Sequence, residues 1–245
     1  MKVKVEREIY YLAQVDFERE YCLYALWRSR WLVVFIFKVD IILKVGLKIG
    51  FEKAIAMTTL TKKLTLEEYL AYDDGTDTKY EFVDGDLVEM PPESDRNNLI
   101  ALYLLTEFLK FVPIRLIRHK DTEIVVTGNR IRIPDLMILT EELFAAIAGK
   151  RATVTQDMPS PALVVEVVSP GKVNEDRDYR YKRSEYAARG IPEYWIIDAG
   201  NAKVTVLTLI DGLYEEAVFQ DSNYINCTTF PELKLTPAQV LGAGN

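Results

Sequence analysis

Two short apolar runs separated by a helix-forming stretch most constrain the fold of this chain. Residues 163–168 are predicted to be a strand buried on both faces, and residues 193–198 a second strand with a continuous apolar run. Residues 174–189 between them are predicted to form a helix that ends at Gly190 and can pack back over the sheet. We therefore expect an α/β or α+β domain in which helices flank a mixed central sheet.

The flanking sequence supports the same class. Thr65 and Glu68 form a capping-box pattern ahead of a short helix. Asp84-Gly85 and Asp211-Gly212 each stand between strand-like stretches, which is typical of β-hairpins. Further predicted elements are helices over residues 97–111 and 141–148 and strands over residues 122–127 and 130–139.

The first 56 residues differ in charge from the rest. They contain ten Lys or Arg and seven Asp or Glu, a net +3, and subtraction from the chain's net charge of -7 leaves about -10 for residues 57–245. The apolar stretch 31–51 is interrupted by four charged residues, which disfavours a transmembrane helix, and the early acidic residues fit a secretory signal poorly. We expect a cytoplasmic protein without stable membrane insertion. Residues 1–56 are either an amphipathic extension or a segment that precedes a true start at Met57.

Residue counts exclude several classes of chemistry. The chain has one histidine, His119, so a zinc hydrolase with several His ligands and a nuclease with paired catalytic histidines are excluded. Cys22 and Cys227 are isolated, form no metal-ligand spacing and fit a reducing compartment. The net negative charge argues against tight non-specific binding to nucleic acid, but acidic residues are what a magnesium site requires.

Three residues are candidates for a catalytic site. Glu166 lies inside the buried strand, where a carboxylate needs either a metal ion or a nearby Arg or Lys. Asp135 follows Pro134, at a point where a strand bends or lies at a sheet edge, although an ordinary turn aspartate is the alternative. Lys182 lies on the following helix, where an exposed salt bridge to Asp178 is the alternative.

Together these residues predict a metal-dependent site for phosphoryl chemistry. Two carboxylates are sufficient to hold Mg²⁺, which keeps several waters and binds phosphate oxygens of the substrate. A lysine beside the metal can position or deprotonate the attacking water and offset charge on the phosphorus centre. Mn²⁺ is the alternative ion.

The chain from about residue 63 to residue 240 resembles the Uma2-type family of restriction endonuclease-like proteins, within the PD-(D/E)XK nuclease superfamily. Several blocks carry the resemblance in order and spacing. They are residues 64–70 (LTLEEYL), 79–90 (KYEFVDGDLVEM), 133–136 (IPDL), 165–170 (VEVVSP), 178–186 (DYRYKRSEY) and 190–198 (GIPEYWIID). The resemblance implies a restriction endonuclease-like domain over residues 57–245 that acts on DNA, with a homodimer left open as its assembly.

The resemblance also implies residue roles. Asp135 matches the Asp of the PD element and Glu166 the following acidic position, both as metal ligands. The family's lysine is expected two residues after Glu166, where this chain has Val168, and Lys182 is the expected substitute. Glu81 matches an early glutamate of the family and either extends the metal shell or is an ordinary strand residue. The alternative function is a catalytically weak or inactive binding module with the nuclease fold.

Overall fold

The structure is a computed structural model that describes residues 63–76 and 78–243. The predictions for residues 1–56, including a start at Met57, lie outside the described residues. The helices are α1 (Leu66–Leu70), α2 (Asp95–Phe108), α3 (Glu141–Ile147), α4 (Lys172–Asp176), α5 (Arg183–Ala188) and α6 (Pro237–Gly242). The strands are β1 (Tyr80–Val83), β2 (Asp86–Glu89), β3 (Ile117–His119), β4 (Glu123–Thr127), β5 (Arg130–Arg132), β6 (Leu136–Ile138), β7 (Thr153–Val154), β8 (Leu163–Val167), β9 (Glu193–Asp198), β10 (Lys203–Ile210) and β11 (Leu213–Gln220).

These strands form two mixed sheets. The first has the order β2-β1-β5-β4-β7 and the second the order β11-β10-β9-β8-β6-β3. Strands β4 and β7 pair in parallel in the first sheet, and β8 and β9 pair in parallel in the second. The other neighbours are antiparallel. The predicted mixed α/β class is confirmed, and the strands expected in one central sheet are divided between two.

Pro134 explains this division. The sequence predicts one strand over residues 130–139, but the structure has β5 in the first sheet and β6 in the second. Proline lacks the N–H that a ladder requires and restricts the residue before it. The chain therefore leaves the first sheet after Arg132 and enters the second at Leu136. The prediction of a single strand was wrong, and the crossing places Asp135 immediately before β6.

The second sheet is covered on both faces. One face of β8 packs against α2 and the C-terminal segment, and the other packs against α3, α5 and part of the first sheet. Tyr194, Trp195 and Ile196 of β9 are fully buried. A polar side chain on either face of β8 therefore needs a partner within the protein.

Both predicted hairpin turns are present. Asp84 and Gly85 have φ values of 52° and 94°, and Asp211 and Gly212 have φ values of 48° and 82°. Two consecutive positive φ values are those of a type I′ turn, whose twist matches that of the flanking strands. The predicted capping box at Thr65 and Glu68 also forms and begins α1.

The helical stretch after β8 contains a π-helical turn. Helix α4 continues into the π turn Arg177–Lys182 and then into α5. The sequence predicts one regular helix over residues 174–189, and the structure confirms a helical stretch but not its regularity. A π turn contains one residue more than an α turn, and here it buries both Asp178 and Lys182. Among the described residues, no helix has the length and apolarity required to cross a membrane.

Candidate active site

Glu166 lies near the end of β8 and is 3% exposed. Its Oε1 accepts a hydrogen bond of 2.6 Å from the Tyr186 hydroxyl. Its Oε2 lies 2.8 Å from Nζ of Lys182. Both partners belong to the helical stretch that packs on this face of the sheet. The sequence predicts that Glu166 needs a charged partner. In the structure that partner is Lys182, which the sequence groups with Glu166 as a catalytic candidate.

Asp135 lies immediately before β6, the strand that pairs with the strand of Glu166. The register of β6 and β8 pairs Leu136 with Val165, and one further step sets Asp135 opposite Glu166. Residues that face each other in an antiparallel pair have Cβ atoms roughly 5 Å apart. Oδ2 of Asp135 accepts a hydrogen bond of 2.6 Å from the N–H of Val167. The two acids predicted as metal ligands therefore lie at one end of the second sheet.

Lys182 lies within the π turn and is 2% exposed. In addition to Glu166, its Nζ lies 3.5 Å from Oδ1 of Asp178 and 3.8 Å from Oε1 of Glu81. Burial alone would lower the pKa of Lys182, but the negative charges of Glu166, Asp178 and Glu81 outweigh burial and raise it. Lys182 is therefore a buried, protonated cation, and its contact with Asp178 is not an exposed salt bridge.

Glu81 reaches this cluster from the first sheet. Its Oε2 accepts a hydrogen bond of 2.6 Å from Arg132, which also donates to Oε2 of Glu185 at 2.7 Å. Burial would raise the pKa of Glu81, but the charges of Lys182 and Arg132 together lower it. Sequence analysis did not single out Arg132 or Glu185. Two features of the sequence could have identified them: the cross-strand position of Arg132, and the helical spacing between Lys182 and Glu185.

Burial dominates the proton affinity of the two predicted metal ligands. It raises the pKa of Glu166 to about 8, against the opposing effect of Lys182, and the charge of Asp135 adds to the increase. Burial also raises the pKa of Asp135, partly offset by Lys120 and the Val167 N–H. Both carboxyls therefore lie in surroundings that provide less positive charge than full ionisation requires.

Lys120 is a member of the site that sequence analysis missed. Its Nζ lies 3.4 Å from Oδ1 of Asp135 and 3.5 Å from Oε2 of Glu93. This nitrogen is buried and has no hydrogen-bond partner among the described residues. Lys120 also has φ of 55°, in the left-handed region that non-glycine residues seldom adopt. No motif in the sequence marks this position.

The remaining predicted features do not join the site. His119 is half-buried on β3, and burial lowers its pKa. On the helical stretch after β8, Arg183 pairs with Glu216 at 2.5 Å and Lys172 pairs with Asp176 at 3.1 Å. Both pairs are partly exposed to solvent and lie outside the buried cluster.

Asp135 and Glu166 have the chemistry of a magnesium donor set. Within residues 63–76 and 78–243, no three or more His, Cys, Asp or Glu side chains are arranged to hold a metal ion. Mg²⁺ does not require such a group, because it keeps several waters and binds substrate phosphates. The raised pKa values of these two buried acids indicate that they lack nearby positive charge. A cation bound between them would supply that charge. The residues therefore fit Mg²⁺, and Mn²⁺ prefers similar oxygen ligands.

Comparisons with known proteins place this chain in a family. The model of the Uma2 family, described as "Putative restriction endonuclease", matches residues 66–238. The fold is similar to that of a crystal structure from Anabaena variabilis described as a "putative nuclease belonging to DUF820". The TM-score is 0.58 and the identity 18%, over 74% of this chain and 99% of the other. A search of curated proteins found no match. The chain belongs to the Uma2 family of restriction endonuclease-like proteins.

Proposed function

We propose that this protein is a metal-dependent DNA endonuclease in which Asp135 and Glu166 hold Mg²⁺ or Mn²⁺ and Lys182 assists the attacking water. Family membership supports a nuclease. The observation that carries the residue assignment is the 2.8 Å contact between Lys182 and Glu166, beside a second buried acid. A purely structural lysine–glutamate pair would not explain why Asp135 is buried opposite Glu166.

The chain's own residues define the proposed reaction. Hydrolysis adds the oxygen of water to phosphorus and breaks the P–O bond to one sugar, whose oxygen takes up a proton. A bound divalent ion would supply Lewis-acid activation of that water. Lys182 is protonated, so its proposed role is to orient the water and offset negative charge on the phosphate oxygens, and not to accept a proton. Glu81 and Asp178 are proposed to keep the ammonium group in position.

Cleavage of DNA in Mg²⁺ tests this proposal. We expect Asp135→Asn, Glu166→Gln and Lys182→Met each to reduce the cleavage rate by about 100-fold or more, as loss of a main electrostatic group usually does. Glu141→Gln is the matched control, because this exposed acid pairs with Arg115 away from the site. Cleavage at the same rate by all four variants and the natural sequence would reject the assignment.

A second candidate is a nuclease-fold module that binds DNA without cutting it. Two observations favour it: Val168 stands where the family lysine is expected, and the two acids already have lysine neighbours. Calorimetry with Mn²⁺ separates the candidates. Metal binding that disappears in Glu166→Gln supports the nuclease, whereas absence of binding by the natural sequence supports the module.

A further inference from the structure

A cleft of about 300 Å³ opens beside Lys120. Its lining includes Tyr72, Tyr80 and Ile133, and Ile133 precedes Asp135 by two residues. Lys120 lines the cleft and also forms the ion pair with Asp135. The cleft therefore adjoins the proposed metal ligands, and its volume lies at the lower end of the range for small-ligand pockets.

Tyr72 and Tyr80 provide an aromatic surface in this cleft. Their ring centroids lie 6.1 Å apart in an edge-to-face arrangement, and Tyr72 is 39% exposed. The third tyrosine of the lining, Tyr69, is unavailable for stacking because Phe82 stacks on its ring and Arg151 also lies over it. Exposed tyrosine rings are common platforms for unpaired nucleobases.

Charged residues of both signs line the cleft. Of its four acids, Asp121 and Glu123 are paired with Lys79 and Arg151, respectively, whereas Asp73 and Asp74 accept hydrogen bonds from neutral groups only. Lys120 differs from those two cations, because its buried ammonium group forms no hydrogen bond within the described residues and only two longer ion pairs, at 3.4 Å with Asp135 and 3.5 Å with Glu93. Its left-handed backbone is a strained conformation of the kind that clusters at functional sites. Lys120 is thus the cation of the cleft best suited to accept a new anionic partner.

We propose that this cleft binds one unpaired nucleotide of the DNA strand, with its base stacked on Tyr72 and in edge-to-face contact with Tyr80, and its phosphate on Lys120. The position of this nucleotide next to the cleaved phosphate rests on the proposed function; the binding itself does not. A base within an intact duplex cannot enter such a cleft unless it leaves the stack. The protein therefore prefers single-stranded, gapped or flapped DNA to intact duplex.

Fluorescence anisotropy of labelled DNA tests the cleft without catalysis, because EDTA removes divalent metal. A single-stranded oligonucleotide and its blunt duplex are titrated with the natural sequence, Tyr72→Leu and Lys120→Met. We expect the Kd for the single strand to rise about tenfold in each variant, the range for loss of one stacking contact. Tyr224→Leu and Lys110→Met remove an exposed tyrosine and an exposed lysine elsewhere and should change the Kd less than about twofold. Circular dichroism verifies the fold of each variant.

The outcomes separate this inference from the proposed function. Single-strand binding that is absent, or unchanged in both cleft variants, overturns the cleft assignment. An equal loss of binding to duplex overturns the requirement for an unpaired nucleotide. If binding depends on Tyr72 and Lys120 but no DNA is cut in Mg²⁺, nucleotide binding in the cleft is supported and the proposed hydrolysis is rejected. If DNA is cut but binding is the same in both variants, the proposed hydrolysis is supported and nucleotide binding in the cleft is rejected.

Discussion

Lys182 illustrates how single residues determine this site. Its side chain is buried among Glu81, Glu166 and Asp178, so the three acids and the lysine depend on one another for charge balance. Removing one partner from a buried ion pair typically costs about 3–5 kcal/mol, because the charge left behind has no water to replace it. A residue proposed for catalysis therefore also contributes to stability, and activity assays of its variants need a fold control.

The raised pKa of Glu166 predicts a specific dependence of stability on pH. Burial raises this pKa from its ordinary value of 4.5 to about 8. Because the folded state holds this proton more tightly, the stabilisation is complete below about pH 4.5 and is lost as the pH rises through about 8. Glu166→Gln has no such proton to lose. In EDTA, we expect the natural sequence to lose about 1 kcal/mol or more relative to the variant between pH 5 and pH 8.5.

Urea unfolding at both pH values measures this difference. Parallel changes in the two proteins would show that Glu166 does not titrate as its surroundings indicate.

Glu166 and Asp135 were predicted because their own neighbours in the chain made them unusual. Glu166 lies in an apolar strand, and Asp135 follows a proline. Lys120 and Arg132 have no such local signal. Their importance arises from contacts with Glu93, Asp135, Glu81 and Glu185, which are distant in the sequence and meet them only in the folded structure.

At the scale of elements, the π turn determines which side chains of the helical stretch are buried. Asp178, Lys182, Glu185 and Tyr186 all point inward across the junction of the π turn and α5. A π turn holds one residue more than an α turn, so deleting one residue within it would leave an α turn and change the position of Lys182 relative to Asp178. The buried contacts of Lys182 that depend on this position would then be disrupted.

Deletion of Tyr181 tests the π turn. Tyr181 is 52% exposed, so its side chain adds little to the core. We expect the deletion to lower the unfolding free energy by about 3 kcal/mol or more, because Lys182 loses its buried partners. Tyr181→Ala keeps the residue count and should cost less than about 1 kcal/mol. Thermal unfolding compares the two variants; equal stability would show that the π turn is dispensable.

Elements with strong local signals were predicted well, and two irregular elements were not. The hairpins at Asp84-Gly85 and Asp211-Gly212 depend on turn residues alone, and both form. The division of residues 130–139 depends on which sheet each half joins, and periodicity does not contain that information. The π turn likewise has no signal in the sequence, because Asp178 and Lys182 are four residues apart, a spacing that a regular helix also places on one face.

At the scale of the molecule, the family match and the described fold concern the same part of the chain. The match covers residues 66–238, and the description begins at residue 63. We expect residues 57–245 produced alone to keep the domain, with a melting temperature within about 2–4 °C of that of the full chain, a shift equivalent to about 1 kcal/mol for this size. Calorimetry of both proteins measures this. A fragment that does not unfold cooperatively would show that residues 1–56 belong to the folding unit.

The short crossing at Pro134 gives the molecule a mechanical property. Only Ile133, Pro134 and Asp135 separate β5 from β6, so Asp135 cannot move independently of the first sheet. Lys182 also touches Glu81 of the first sheet and Glu166 of the second. A tilt of one sheet against the other would change the spacing between Asp135 and Glu166. A displacement of the β1–β2 hairpin would therefore be transmitted to Asp135 and Glu166, where an ion is expected to bind.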